Sequence, residues 1–315
     1  MKVLVVGLGA LGTVYSCFMS LAGHEVTGLG RPAALDKIRT SGVKVSGIWG
    51  EHAAKLDRVV TDVCELDREQ FDMIIVTVKS FSTEEIAEKI SQLVGETTHI
   101  FLLQNGYGNF EAAAKYISEE RIVLGRVIFG AEMSVPGESI VTVIADDVVI
   151  GSPKNLIASE LLEEFAGIFR KAGIPTKASN EIMKYIWGKI IYNSALNSFG
   201  AVFEVNYGQL AEEPVTRDLM NTLIQEIFNV FAARGIMTFW PDAQSYLKNL
   251  YTNLIPPTSA HHASMLQDIQ SGRRTEIESL NGAVVKLAHE SSVPVPLNEI
   301  IVAMVKAKEH FNYRR

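Results

Sequence analysis

Lys189, Asn193 and Asn197 recur at i, i+4 and i+8 within NEIMKYIWGKIIYNSALNSFG, residues 180–200. At about 3.6 residues per turn, that spacing places all three within about 80° on one helix face. The same sector holds Ile182, Tyr185, Ile186, Ile190 and Leu196, and the opposite side carries Met183, Trp187, Ile191 and Phe199. The segment is therefore apolar nearly all round, with a polar stripe embedded in it. Each Asn in a helix interior costs about 0.5–0.7 kcal/mol relative to Ala, and a buried polar group without a partner costs about another 1–3 kcal/mol. A buried ammonium is worse unless it pairs or gives up its proton. A stripe lining a cleft resolves the conflict, because a polar small molecule and ordered water satisfy these groups. A polar network between packed helices would resolve it too.

A second constellation, Gly7-Leu8-Gly9-Ala10-Leu11-Gly12, follows Val3-Leu4-Val5-Val6 and opens an apolar stretch through Leu21. After a strand and before a helix, G-x-G-x-x-G is a dinucleotide-binding fingerprint. Gly7 permits the tight turn, Gly9 lets backbone N–H groups approach a pyrophosphate, and Gly12 allows close packing of helix on strand. The helix N-terminus adds partial positive charge. The second strand ends Thr27-Gly28-Leu29-Gly30-Arg31, with no carboxylate where NAD enzymes hold the ribose hydroxyls. The Arg31 guanidinium suits a 2′-phosphate instead, so NADP is the expected cofactor. Lys79 and Asn105 follow two further strand-like runs, Met73–Val78 and Ile100–Leu103. Ligands of open α/β sheets bind outside such strand ends. Lys79 is expected to add charge near the phosphate, and Asn105 to position the nicotinamide or the substrate. A surface Lys and a plain Asn-Gly turn are the alternatives.

Further on, Ser264 opens the helix-like SMLQDI, and Ser271-Gly272-Arg273-Arg274 breaks it. Thr275-Glu276-Ile277-Glu278 fits a capping box, with Thr275 as N-cap and Glu278 as the third helical residue. Glu276 would then sit in the first turn, where a carboxylate favours the dipole. Ser264 is either a cap or an anion contact.

The elements that must carry these groups divide into two kinds. The first half alternates compact apolar runs, among them Glu25–Thr27, with helical stretches at Thr83–Leu93 and Asn109–Tyr116. This is the pattern of a doubly wound, Rossmann-type α/β sheet. Ile122–Val127, Ser139–Ile144 and Val148–Ile150 suggest an antiparallel extension of that sheet, and after Pro153 the chain is almost wholly helical. The expected architecture is an NADP-binding α/β domain over residues 1–175 and an all-α substrate domain over residues 176–315.

Composition narrows the function classes. The chain has 315 residues, 47% apolar and 21% charged, with formal net charge −7. That is too long for one core and too apolar for disorder. A negative balance without a basic block disfavours nucleic acid or an anionic membrane as partner. Two cysteines, Cys17 and Cys64, indicate no disulfide scaffold and a reducing, cytoplasmic setting. The uncharged run Val3–Gly23 reads as strand, loop and helix rather than a targeting signal, because glycines interrupt it. No metal-ligand spacing is read. The apolar C-terminal helices admit two uses, a homodimer interface or a cover over the sheet.

Taken together, the glycine loop, Lys79, Gln104-Asn105-Gly106, the Lys189/Asn193/Asn197 helix and SMLQDI…RTEIE at 264–278 resemble the ketopantoate reductase (2-dehydropantoate 2-reductase) family nearly end to end. The resemblance implies NADPH held by Gly7, Leu8, Gly9, Ala10, Leu11, Gly12, Arg31, Lys79 and Asn105. It implies Lys189 as the catalytic lysine, with Asn105, Asn193, Asn197 and Ser264 on the 2-keto acid substrate. Glu276 completes the polar site, counted with both the catalytic groups and the cofactor contacts. The implied reaction is NADPH-dependent reduction of 2-dehydropantoate to pantoate, in pantothenate and coenzyme A biosynthesis. His261-His262 stands before Ser264 where relatives often carry an Asn or Ser that touches substrate, which keeps a reductase of another 2-keto acid as an alternative. A non-catalytic NADP-sensing protein is a weaker one, since a sensor has no use for Lys189 among two Asn residues.

Overall fold

The computed structural model describes residues 1–67, 69–144 and 146–313, with the side chains of Ala33, Ala34, Asn312 and Tyr313 outside the description. Its contacts divide the chain into two compact units. One is Met1–Gln104 with Asn109–Ile182, and the other is Met183–Arg315 with the four residues Asn105–Gly108.

The first unit contains, in chain order, β1 (Lys2–Val6), α1 (Ala10–Leu21), β2 (Glu25–Leu29), α2 (Pro32–Ser41), β3 (Val43–Gly47), β4 (His52–Ala54), β5 (Arg58–Val60), β6 (Met73–Val76), α3 (Thr83–Ile90), β7 (His99–Leu102), α4 (Asn109–Ala113), β8 (Ile122–Arg126), β9 (Phe129–Val135), β10 (Glu138–Ile144), β11 (Val148–Gly151), α5 (Ser159–Lys171) and β12 (Thr176–Ala178). Eight strands form one sheet in the order β12-β11-β8-β7-β6-β1-β2-β5. β1 pairs in parallel with β2 on one side (Val3↔Val26) and β6 on the other (Val3↔Met73), so the winding reverses at β1. The carboxyl ends beside such a reversal are where open α/β sheets bind ligands. Val3–Val6 and Met73–Val76 are buried on both faces, which explains their continuous apolar runs.

The expected antiparallel extension forms only in part. β11 joins the main sheet antiparallel to β8 and parallel to β12, carrying the unit past residue 175. β9 and β10 instead build a second sheet, β4-β3-β10-β9. In β10, buried Ser139 and Val141 alternate with exposed Ile140 and Thr142, the signature of a sheet covered on one face. α1 packs against both sheets and is buried along most of its length, with the Tyr15 ring 5.6 Å from Phe169 and 6.4 Å from Phe129. Two expected elements are shorter than their patterns. α4 ends at Ala113, not Tyr116, and β6 ends at Val76, because Thr77 and Val78 turn to back the glycine loop.

The second unit is built from α6 (Ile182–Phe203), α7 (Tyr207–Glu212), α8 (Pro214–Arg234), α9 (Ala243–Asn249), α10 (Ser264–Gln270), α11 (Asn281–Glu290) and α12 (Pro296–Tyr313). α6 is its axis, buried without a break from Asn193 to Ala201. A polar network fixes it. Asn281 Nδ2 donates to Ser194 O and to Asn298 Oδ1, each at 3.1 Å. Asn298 Nδ2 donates to Glu226 Oε2 at 2.8 Å, and that carboxylate caps α12 by accepting from the Leu297 and Asn298 N–H groups at 3.0 Å. Lys308 Nζ caps the other end of α6 at Ala201 O and Val202 O.

Candidate active site

In the first unit the glycine loop is tight below and open above. A Cβ on Gly12 would lie 1.9 Å from Gly7 O, and one on Gly7, at φ +98°, would lie 2.8 Å from Val78 N. A Cβ on Gly9, the N-cap of α1, would meet nothing within 4 Å. Thr77 Oγ1 donates to Gly7 O at 2.6 Å and holds the turn from beneath. A loop so fixed, with clear space over its middle glycine and a helix N-terminus behind it, fits a pyrophosphate. Ala10 and Leu11 form the first positions of α1, while the Leu8 side chain is buried under the glycines of β2, leaving only its backbone to serve a ligand. Arg31 is exposed at the N-cap of α2, directly after β2, and Lys79 is half-buried after β6. These are the strand-end positions from which cations reach a phosphate.

The second unit brings the carboxamides, Ser264 and Glu276 into two contact groups. Along α6, Lys189 is half-buried, Asn193 is 7% exposed and Asn197 is 5% exposed. The two amides differ in their partners. Asn197 Oδ1 accepts from Tyr207 Oη at 3.3 Å and from the Met265 N–H at 3.4 Å, and its Nδ2 donates to Ser264 Oγ at 3.3 Å. Asn193 has no hydrogen-bond partner among the described residues. Its amide atoms are not among the fully buried unpaired ones, so what exposure the residue keeps leaves them open to water or a ligand.

The second group links residues far apart in sequence. Asn105 Nδ2 donates to Glu276 Oε2 at 3.3 Å. Behind that bond, Tyr107 N–H donates to Ser279 O at 2.8 Å, and Tyr107 stacks on Trp187 with ring centroids 4.7 Å apart. Gly106, at φ +89°, makes the approach feasible, because a Cβ there would lie 2.5 Å from the Ser279 Cβ. The capping box expected at Thr275–Glu278 does not form. Residues Ile277–Ser279 make a single 3₁₀ turn with Glu276 at its N-cap, and the next helix begins at Asn281. Thr275 Oγ1 accepts from the Ile277 N–H instead, while the Thr275 N–H is taken by Glu309 Oε1 at 2.7 Å. Glu276 thus serves a tertiary contact rather than a helix dipole.

Sequence reasoning missed Tyr207 and the Met265 N–H as partners of Asn197. The sequence offers a weak signal only for Tyr207, which follows Asn206 at the N-terminus of a short helix whose capping box is Asn206 with Gln209. The Tyr207 ring meets His261 edge-on at 5.3 Å, and burial raises its hydroxyl pKa well above the ordinary range. Tyr192, bonded to Thr258 Oγ1 at 2.8 Å, is likewise pushed up to about 12 by burial. Both phenols are neutral donors near neutral pH.

Comparison with known proteins shows the family. The model of the ketopantoate reductase PanE/ApbA family matches residues 3–155, and that of its C-terminal region matches residues 181–309. The chain is 48% identical over 314 residues to 2-dehydropantoate 2-reductase of Aquifex aeolicus, covering 100% of this chain and 99% of that protein. A PanE/ApbA family ketopantoate reductase from Ralstonia eutropha has a TM-score of 0.87 at 26% identity, over 99% of both chains. D-mandelate dehydrogenase, solved with NADH and anilino(oxo)acetate, has a TM-score of 0.89 at 24% identity over 99% of both chains, a likeness of fold alone. With both family models matched and nearly half its residues identical to one such enzyme along the full chain, this protein belongs to the ketopantoate reductase family.

Proposed function

We propose that the chain reduces the ketone of 2-dehydropantoate to give pantoate, using NADPH, as a step of pantothenate biosynthesis. The observation that carries this reading is the α6 stripe, where Asn193 is buried with no hydrogen-bond partner among the described residues, between half-buried Lys189 and an Asn197 anchored through its Oδ1. Such a stripe is stable with a polar ligand on it. NADPH, when bound, supplies the hydride that the carbonyl carbon receives. Lys189 stabilises the negative charge that gathers on the ketone oxygen and gives that oxygen a proton. The Asn193 and Asn197 amides and the Ser264 hydroxyl hold the polar groups of the acid. Glu276, accepting from Asn105, keeps that amide oriented toward the reacting partners.

The sheet unit takes the cofactor through the backbone of Gly7–Gly12, with Arg31 and Lys79 on the 2′-phosphate. The absence of a carboxylate at the end of β2 supports NADP over NAD. The helical unit takes the acid. Exposed Ile300, Met304 and Phe311 along α12 support a homodimer, and the reaction class supports a cytoplasmic location. Among the described residues, no helix is long and apolar enough to cross a membrane. His261, packed edge-on against Tyr207, supports one second reading, a related 2-keto acid as substrate.

The test is NADPH oxidation by the purified chain with 2-dehydropantoate beside a panel of aliphatic and aromatic 2-keto acids. Preference for 2-dehydropantoate is the expected result. A different preferred acid would move the substrate assignment, and NADPH binding without turnover of any acid would favour a sensor.

A further inference from the structure

We infer that Tyr207 is a positioning residue of the substrate site, acting through Asn197. This rests on the reading of Asn197 as a substrate contact and adds what holds its amide in one orientation. The Met265 N–H can only donate, so the Asn197 atom facing it is Oδ1. Tyr207 Oη donates to the same oxygen at 3.3 Å. The Met265 N–H makes a flipped amide unfavourable, since a flip would set Nδ2 against it, and the Tyr207 hydroxyl adds a second hydrogen bond to the oxygen so placed. Ser264 Oγ lies at the amide's edge, 3.3 Å from Nδ2 and 3.4 Å from Oδ1, so Asn197 in this orientation keeps Nδ2 available beside the Ser264 hydroxyl.

Tyr207 is itself rigidly placed. Its N–H donates to His261 O at 3.2 Å, and the neighbouring Gly208 N–H donates to Ser259 O at 2.8 Å. Asn206 bridges to His262 and forms a capping box with Gln209, so the backbone on each side of the ring is tied down. The ring is 2% exposed and lies between Tyr192, at 5.8 Å, and His261, at 5.3 Å. Burial keeps its hydroxyl protonated, so the donor is present throughout the working pH range. Tyr207 thus holds the Asn197 amide in the orientation that the Met265 N–H selects.

Tyr207→Phe keeps the ring and removes only the hydroxyl. The expected result is a KM for 2-dehydropantoate raised by about 3–10-fold, the effect of one ordinary hydrogen bond, with kcat and the NADPH dissociation constant within about twofold of wild type. In an Asn197→Ala background the same change should leave KM unaltered, because its effect passes through that amide. A purely structural tyrosine would lower thermal stability and alter KM by the same factor in both backgrounds. An unchanged KM in the single variant, or equal effects in the two backgrounds, would overturn the inference while leaving the substrate assignment intact. A wild-type chain that neither binds nor reduces the acid overturns the parent reading and this one with it.

Discussion

The two regions proposed to carry the chemistry are made of different material. The glycine loop is a backbone site. Its shape depends on side chains being absent at Gly7 and Gly12, and the contacts proposed for its ligand are peptide N–H groups at the start of α1. The α6 stripe is a side-chain site, where an ammonium and two carboxamides are set into a mostly apolar helix. A backbone site adds nothing polar to the core and fails when a Cβ is added. A side-chain site carries a standing stability penalty and fails when atoms are removed. Substitutions in the two regions should therefore separate stability from function in opposite ways.

The largest expected effect is on turnover. Lys189→Ala should lower kcat by about 10²–10⁴-fold, the range for losing a positioned proton donor, with NADPH affinity unchanged in a fluorescence titration. Next, Gly12→Ala should weaken NADPH binding more than tenfold and destabilise the sheet unit by about 1–3 kcal/mol through overpacking, because the new Cβ meets Gly7 O. Denaturant melts alongside the titration would check both halves. Arg31→Ala should raise the NADPH dissociation constant about tenfold, the effect of one charge-assisted bond, and leave NADH binding nearly unaltered. An equal loss for both cofactors would remove Arg31 from the 2′-phosphate. Asn197→Ala should destabilise the helical unit by about 1–3 kcal/mol, since it strips the Met265 N–H and Tyr207 Oη of their acceptor.

How much of this was readable from the sequence follows from the distance between interacting residues. The glycine loop was legible because six contiguous residues and their flanking elements define it. The stripe was legible because helical spacing alone brings Lys189, Asn193 and Asn197 to one face. The bond between Asn105 and Glu276 spans 171 residues, and no local pattern reports a pairing of that kind. The same limit explains the capping box that failed. Thr275-x-x-Glu278 is a sound local signal, but Glu309 on α12 takes the Thr275 N–H and Gly106 docks against Ser279, so tertiary contacts override it. Likewise, nothing near Asn197 in the sequence distinguishes it from Asn193, although the fold gives one amide several partners and the other none among the described residues.

That contrast supplies the sharpest test of the proposal that Asn193 in the α6 stripe is kept for a ligand rather than for the fold. Asn193→Ala removes a buried amide with no partner among the described residues and improves helix propensity by about 0.5–0.7 kcal/mol. Thermal melting and the KM for 2-dehydropantoate should be measured on the same samples. The expected result is a melting temperature equal to wild type or up to about 3 °C higher, together with a KM raised about tenfold. A lower melting temperature with an unchanged KM would make Asn193 part of an internal network and contradict the claim.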